Sequence, residues 1–305
     1  MTSTDMNAHI ASQSKGLVSA FRSLPKTSIS MIRLTLRTNS GRIALPIVLI
    51  HFILAAVGSW LAPYGATDFN VKPDGSLEQL VAPSIKFLFG TDQFGRDILS
   101  RVMSGSTTLV LVSGTGTLLG IAAGSIIGMG SAYMGNWVDD VVMRVMDGLM
   151  SFPSLLMALL VISTLGPNVL FIVATVGIVT TPGVARVMRS TTLSLKEQEF
   201  VQSARLRGES PPYIIFREIL PNTLPILGVE LSVRLSYSIL IVSSLGFLGL
   251  GVQPPSPDWG LMIAQSRPFL YSAPWVALFP AAAVATLVVG INLLTDAVRQ
   301  ASNLP

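Results

Sequence analysis

The sequence predicts an all-α membrane protein with six transmembrane helices and both termini in the cytoplasm. Three observations carry that expectation. Half of the residues are hydrophobic, only 12% are charged and the mean hydropathy is +0.63, a balance that in water would expose apolar patches far beyond those soluble monomers tolerate. The charges are also segregated, with none between Val102 and Val138 and none between Gly148 and Ala185. The third observation is the placing of lysine and arginine along the chain, which assigns the sides.

Residues 1–42 read as a cytoplasmic tail, with Lys15, Arg22, Lys26, Arg33, Arg37 and Arg42 against one acid, Asp5, and no apolar stretch of the signal-peptide kind. The first transmembrane helix is expected over 43–62, an uncharged run long enough for a hydrocarbon core of about 30 Å and closed by the turn "LAPYG". An extracytoplasmic loop is expected over 63–106, and a core with five further transmembrane helices over 107–299. Span two carries "GTLLGIAAGSIIGMG", whose Gly116, Gly120, Gly124 and Gly128 share one helix face and invite close approach of another helix. The run from 148 to 185 is too long for one crossing and divides at "GPN", 166–168, into spans three and four, with Pro153 and Pro182 kinking them. Span five (about Thr223 to Leu250) and span six (Trp275 to Leu294) flank "GVQPPSPDWG", and 300–305 is a short C-terminal tail.

With the amino end inside, thirteen basic residues fall in the cytoplasm: the six of the tail, then Arg186, Arg189, Lys196, Arg205, Arg207, Arg217 and Arg299. Five fall outside: Lys72, Lys86, Arg96, Arg101 and Arg267. That asymmetry sets the orientation, and it accounts for the net charge of +4 better than a nucleic-acid surface does. The absence of cysteine removes disulfides and thiolate metal or redox sites. His9 and His51 are isolated, and His51 is expected to pack against a neighbouring helix.

One segment breaks the pattern. "EFVQSARLRGESPPYIIFREILPN", 199–222, alternates acids and bases between two very apolar runs. Burying the six basic side chains between spans four and five would cost on the order of 15–20 kcal/mol, so this segment belongs in the cytosol. A capping box of Ser194 and Glu197 is expected to start a helix, Gly208 to end it, and Ser210 with Pro211 to start a second helix that Pro221 stops short of span five. Tyr213, Ile214, Ile215 and Phe216 fit either the lipid interface or a docking surface for a cytosolic partner.

Two further groups invite function. Glu230 and Arg234, i and i+4 with the acid first, are the acid and base of span five; they either line a translocation path or neutralise each other locally. Asp92, Arg96, Asp97, Asp258 and Trp259 fall outside the membrane, where they either brace an outer gate or meet a binding protein.

The polar segment resembles the cytoplasmic coupling loop of binding-protein-dependent ABC importer permeases. Gln202, Ser203 and Ala204 stand where that family has Glu-Ala-Ala, so two of the three depart from its pattern; Gly208 follows at the family spacing and "EILPN" closes the motif at 218–222. "FGTDQFGRDILSR" (89–101), "YMGNWVDDVVMRVMD" (133–147) and "GFLGLGVQPPSPDWG" (246–260) are similar to the dipeptide, oligopeptide and nickel branch of the family, and the likeness runs through most of 43–299. The resemblance implies a non-catalytic half-permease of the bacterial plasma membrane. Its expected partners are a second homologous permease subunit, two ATPase subunits, an extracytoplasmic substrate-binding protein and membrane lipid, without nucleic acid. No cofactor is expected on this chain, with ATP-Mg on the partner ATPase subunits; in agreement, none of its lysines lies in a phosphate-cradling Gly-x-x-x-x-Gly-Lys loop. Coupling to the ATPases falls by the same resemblance to Gln202, Ser203, Ala204, Arg205, Leu206, Gly208, Arg217 and Pro221. Permeases of this branch serve peptides, glutathione or nickel, and peptides are preferred because the spans gather no His, Cys or carboxylate cluster suited to a metal. A secondary transporter driven by an ion gradient is the rival reading, and it would want acids deep in the spans, where Glu230 alone is clearly placed.

Overall fold

The structure, a computed structural model, describes residues 38–302, so the expected tails over 1–42 and 300–305 lie for the most part outside the described residues. Between those limits the chain is helical, with two isolated β-bridges in the loop after the first helix.

Local chemistry sets the helix ends. Helix α1, Asn39–Leu61, begins four residues before Ile43 because the Thr38 hydroxyl accepts the Gly41 N–H at 3.0 Å. Helix α2, Ile98–Met134, begins inside the expected loop 63–106, since the Asp97 carboxylate accepts the Ser100 N–H at 2.7 Å and caps it there. Gly135, at φ +68°, turns the chain into α3, Asn136–Met150. Helix α4, Ser154–Leu165, follows at an angle of 84° to α3, and the break holds Pro153. Helix α5, Val169–Leu195, starts at Asn168, whose side chain accepts the Leu170 N–H at 2.8 Å. Then come α6, Glu199–Leu206; α7, Pro211–Phe247; α8, Trp259–Ser266; and α9, Trp275–Ser302.

Five of these, α1, α2, α5, α7 and α9, are long and apolar enough to cross a bilayer singly. The sixth crossing follows from direction. A Cβ on Gly116 would meet Val176, one on Gly120 would meet Thr180, and one on Gly124 would meet Val184, so α2 and α5 run the same way. The chain between them must therefore return, and the bent pair α3–α4 is the segment that does so. The four glycines admit a close neighbour as the sequence predicted, the structure makes that neighbour α5, and at Gly128 the backbone of Ala185 occupies the place of a side chain. Such contact lets dispersion forces act between backbones, the term that holds helices together where lipid offers no hydrophobic gain.

Packing concentrates at two ends. One cluster gathers Ile98, Val102, Ile172, Val242, Leu245, Trp259 and Val276, around the start of α2 and the end of α7. The other gathers Met129, Val184, Met188, Val201, Ala204, Ile214 and Ile219 at the opposite end. His51 packs as expected: one ring nitrogen lies 2.9 Å from the Ile47 carbonyl oxygen, the other 3.3 Å from the Thr286 hydroxyl on α9.

Two local expectations are corrected. Ser194 and Glu197 form no capping box, because α5 runs through Ser194 to Leu195; α6 starts instead after Gln198, with Glu199 in its first turn. Pro221 does not end a helix either. The chain coils without interruption from Pro211 to Phe247, and a wide turn over Ile214–Ile219, in which Leu220 donates to the Ile215 carbonyl, makes room where the proline ring would press on the preceding turn.

Candidate coupling and translocation site

The polar segment folds into a hairpin of α6 and the start of α7. Gly208, at φ +78°, sits in the left-handed region at the corner. Its N–H donates to the Arg205 carbonyl at 2.9 Å, and the Glu209 N–H to the Ala204 carbonyl at 3.2 Å, the paired closure that ends a helix with glycine. Ser210 and Pro211 then start α7 as the sequence indicated.

The two faces of the hairpin differ. Val201, Ala204, Ile214 and Ile219 are fully buried against Met129 of α2 and Val184 and Met188 of α5. On the other face Ser203, Arg205, Arg207, Gly208 and Arg217 are exposed, Gln202 is half-buried, and Leu206 is 89% exposed, an unusual place for a leucine beside charged neighbours. Tyr213 and Phe216 stay exposed, while Ile214 and Ile215 turn inward and pack in the chain's own core, a role outside the two that the sequence left open. Polar contacts hold the corner: Gln202 donates to the Lys196 carbonyl at 3.2 Å, Lys196 to the Ala132 carbonyl at 3.3 Å, and the Arg205 guanidinium lies 5.1 Å from the Tyr133 ring centre. Arg207 lies near Glu209 and Glu218, at 3.7 and 3.5 Å.

Beside the hairpin, α3 is tied to α5 by pairs the sequence did not reveal. The Arg189 Nε and Nη2 donate to both oxygens of Asp139 at 2.6 to 2.9 Å, and Arg186 pairs with Asp147 at 2.5 Å. The only hint in the sequence is that Asp139 and Asp147 sit two turns apart on an amphipathic run; partners some 40 to 50 residues away cannot be read from spacing.

Within the bundle, Arg234 donates its Nε–H to Glu230 at 3.0 Å, the i,i+4 pair expected from the sequence. The Arg234 side chain is 26% exposed and reaches toward Gly183 on α5. It lines a cavity of about 100 Å³ enclosed by Pro182 and Gly183 of α5, Met150 and Phe152 at the α3–α4 bend, and Met157 of α4.

At the other end, the remaining candidates are engaged within the chain. Asp92 accepts the N–H groups of Phe94 and Arg96 and the Nε–H of Arg96 at 2.7 to 3.0 Å, with the Arg101 Nε 3.6 Å away. Asp97 caps α2. Trp259 is 1% exposed and donates its indole N–H to the Val102 carbonyl at 3.0 Å, over Gly105, where a side chain could not fit. Asp258 caps α8 by accepting the Leu261 N–H at 2.8 Å; burial pushes its carboxyl up to about 6, although N–H groups of Leu261, Val252 and Gly260 oppose that rise. Gly246 and Gly251 leave the space its carboxylate occupies, which gives a physical reason for the glycines in "GFLGLGVQPPSPDWG".

A six-crossing bundle whose hairpin is seated on the ends of its own helices, with an arginine facing a cavity between them, is the architecture of a membrane transport subunit. Comparison narrows the class. The chain belongs to the family of binding-protein-dependent transport system inner membrane components, whose model matches residues 116–303. It is 34% identical to the dipeptide transport system permease protein DppC of Alkalihalophilus pseudofirmus, over 92% of this chain and 88% of that protein. It is 37% identical to the glutathione transport system permease proteins GsiD of Escherichia coli O6:K15:H31 and of Shigella boydii, over 83% of this chain and 82% of theirs. The protein is thus a permease subunit of the ABC importer type, a non-catalytic component of the bacterial inner membrane.

Proposed function

We propose that this chain is one of two permease halves of an importer for di- or oligopeptides, powered by ATP hydrolysis on separate subunits and supplied by an extracytoplasmic binding protein. The observation that carries the proposal is the hairpin. Its inner face is welded to the ends of α2 and α5, and its outer face presents Leu206, Ser203 and the arginines at a rigid glycine corner. A partner that seats on Leu206 and moves would move the bundle with it. Gln202, Ser203, Arg205, Leu206 and Arg217 form the seat, Ala204 and Gly208 give the hairpin its shape, and Pro221 lies where the hairpin joins the span. The hairpin faces the cytoplasm, and Asp92, Arg96, Asp97, Asp258 and Trp259 brace the outer end on which the binding protein docks.

A di- or oligopeptide cargo is supported over nickel by the dipeptide relative and by the arginine in the cavity, with Glu230 and Arg234 lining the path; glutathione is the alternative that the other relatives support. The test is purification in mild detergent from the native host. A second permease and ATPase subunits should accompany the wild-type chain, and Leu206→Asp should reduce ATPase recovery at least roughly tenfold with the melting temperature unchanged, since Leu206 supports nothing inside the fold. Gly208→Trp should also reduce ATPase recovery, here by straining the corner and with some fall in melting temperature. Full recovery with both variants removes the coupling role, and uptake that outlasts ATP depletion but collapses with an ion gradient selects the secondary transporter.

A further inference from the structure

We infer that Arg234 is the carboxylate-reading residue of the translocation path, recognising the free C-terminal carboxylate of a passing peptide; this rests on the peptide-importer reading above. A guanidinium carries five N–H donors, and Glu230 takes one of them, on Nε. Among the described residues, neither terminal nitrogen of Arg234 has a hydrogen-bond partner. Between helices, Arg189 gives Asp139 its bidentate edge. Here Glu230 instead holds the guanidinium from the side and leaves its two-nitrogen end open.

That open end is positioned. Nη1 and Nη2 both lie 2.6 Å from the place a Gly183 Cβ would take, so the guanidinium rests flat against α5 where only glycine permits it. The adjoining cavity is otherwise lined by uncharged residues, among them Pro182, which supplies no N–H to the Ile178 carbonyl four residues back. A donor pair of fixed spacing, neutralised in net charge by Glu230 and set in a wall of otherwise uncharged residues, selects a planar two-oxygen acceptor by shape more than by field. A carboxylate on the neighbouring permease half shares that chemistry, so the experiment separates the two sources.

The complete importer, with its second permease half, ATPases and binding protein, is reconstituted in vesicles, and ATP-driven uptake of alanyl-phenylalanine is compared with that of its C-terminal amide. The wild type should prefer the acid. Arg234→Gln should lower the acid-to-amide ratio roughly tenfold or more while uptake of the amide continues, and Arg234→Lys should restore only part of it. Gly183→Ala, which displaces the flexible guanidinium and improves helix propensity, should lower the ratio without loss of melting temperature. An unchanged ratio in Arg234→Gln overturns the inference. So does an equal fall for both peptides with loss of the second permease half on purification, which assigns the acceptor to that subunit. Wild-type vesicles that import neither peptide overturn the peptide reading, and the inference with it.

Discussion

At the scale of single residues, two glycines of α2 with the same chemistry carry opposite expectations. A methyl on Gly120 would stand 2.6 Å from Thr180 Cβ and 2.9 Å from the Gly177 carbonyl oxygen, neither of which can retreat, whereas one on Gly114 meets nothing within 4 Å. Gly120→Ala should therefore destabilise the bundle by about 1–3 kcal/mol, and Gly114→Ala should be neutral or stabilising, as thermal unfolding in detergent would show. The first role was legible because spacing by four places residues on one face; Asp258 was not, since its burial depends on Gly246 and Gly251 folding back around it. Its folded pKa of about 6 lies above the ordinary aspartate range, so the native state holds a proton there that the unfolded chain releases. Stability from this group is then fully present below about pH 4 and falls as pH rises through 6, by an amount on the order of 3 kcal/mol. Asp258→Asn keeps a cap at α8 and removes the charge. Melting temperatures measured from pH 5 to 7.5 should decline in the wild type and flatten in the variant.

Among the elements, α7 departs furthest from the reading of its sequence. Pro221 signals a stop, but six residues of wider coil before it absorb the ring, and such a turn follows no simple motif. The Ser194–Glu197 signal failed for a related reason: a capping box needs a free helix start, and α5, held by the glycine face of α2, continues past Ser194. By contrast the glycine corner was readable, because a left-handed residue at a helix end depends on local geometry alone. The clamp between α3 and α5 is the element contact most open to mutation. Arg189→Ala leaves a buried Asp139 without its bidentate partner and should cost about 1–3 kcal/mol, read as a lower melting temperature. Arg186→Ala, whose pair with Asp147 is exposed on both sides, should cost under about 1 kcal/mol.

For the whole molecule, charge distribution and hydropathy made six crossings legible, and the parallel course of α2 and α5 requires the bent third one. The orientation can be tested directly in a chain that contains no cysteine. Leu206→Cys, at the hairpin, and Ile85→Cys, fully exposed in the loop after α1, should react with an impermeant maleimide from opposite sides of the membrane, the second from outside. Labelling of both from one side would break the topology. The register of α2 on α5 also bears on how the gene can change. Substitutions on the lipid side of either rod leave their meshing intact, but one residue inserted between Gly120 and Gly124 would turn half of the glycine edge by roughly 100° and present bulk where backbone must touch backbone. Length variation should therefore be purged from this pair and accumulate in the loops, so that the bundle diversifies around a doublet whose tooth-to-tooth count is frozen.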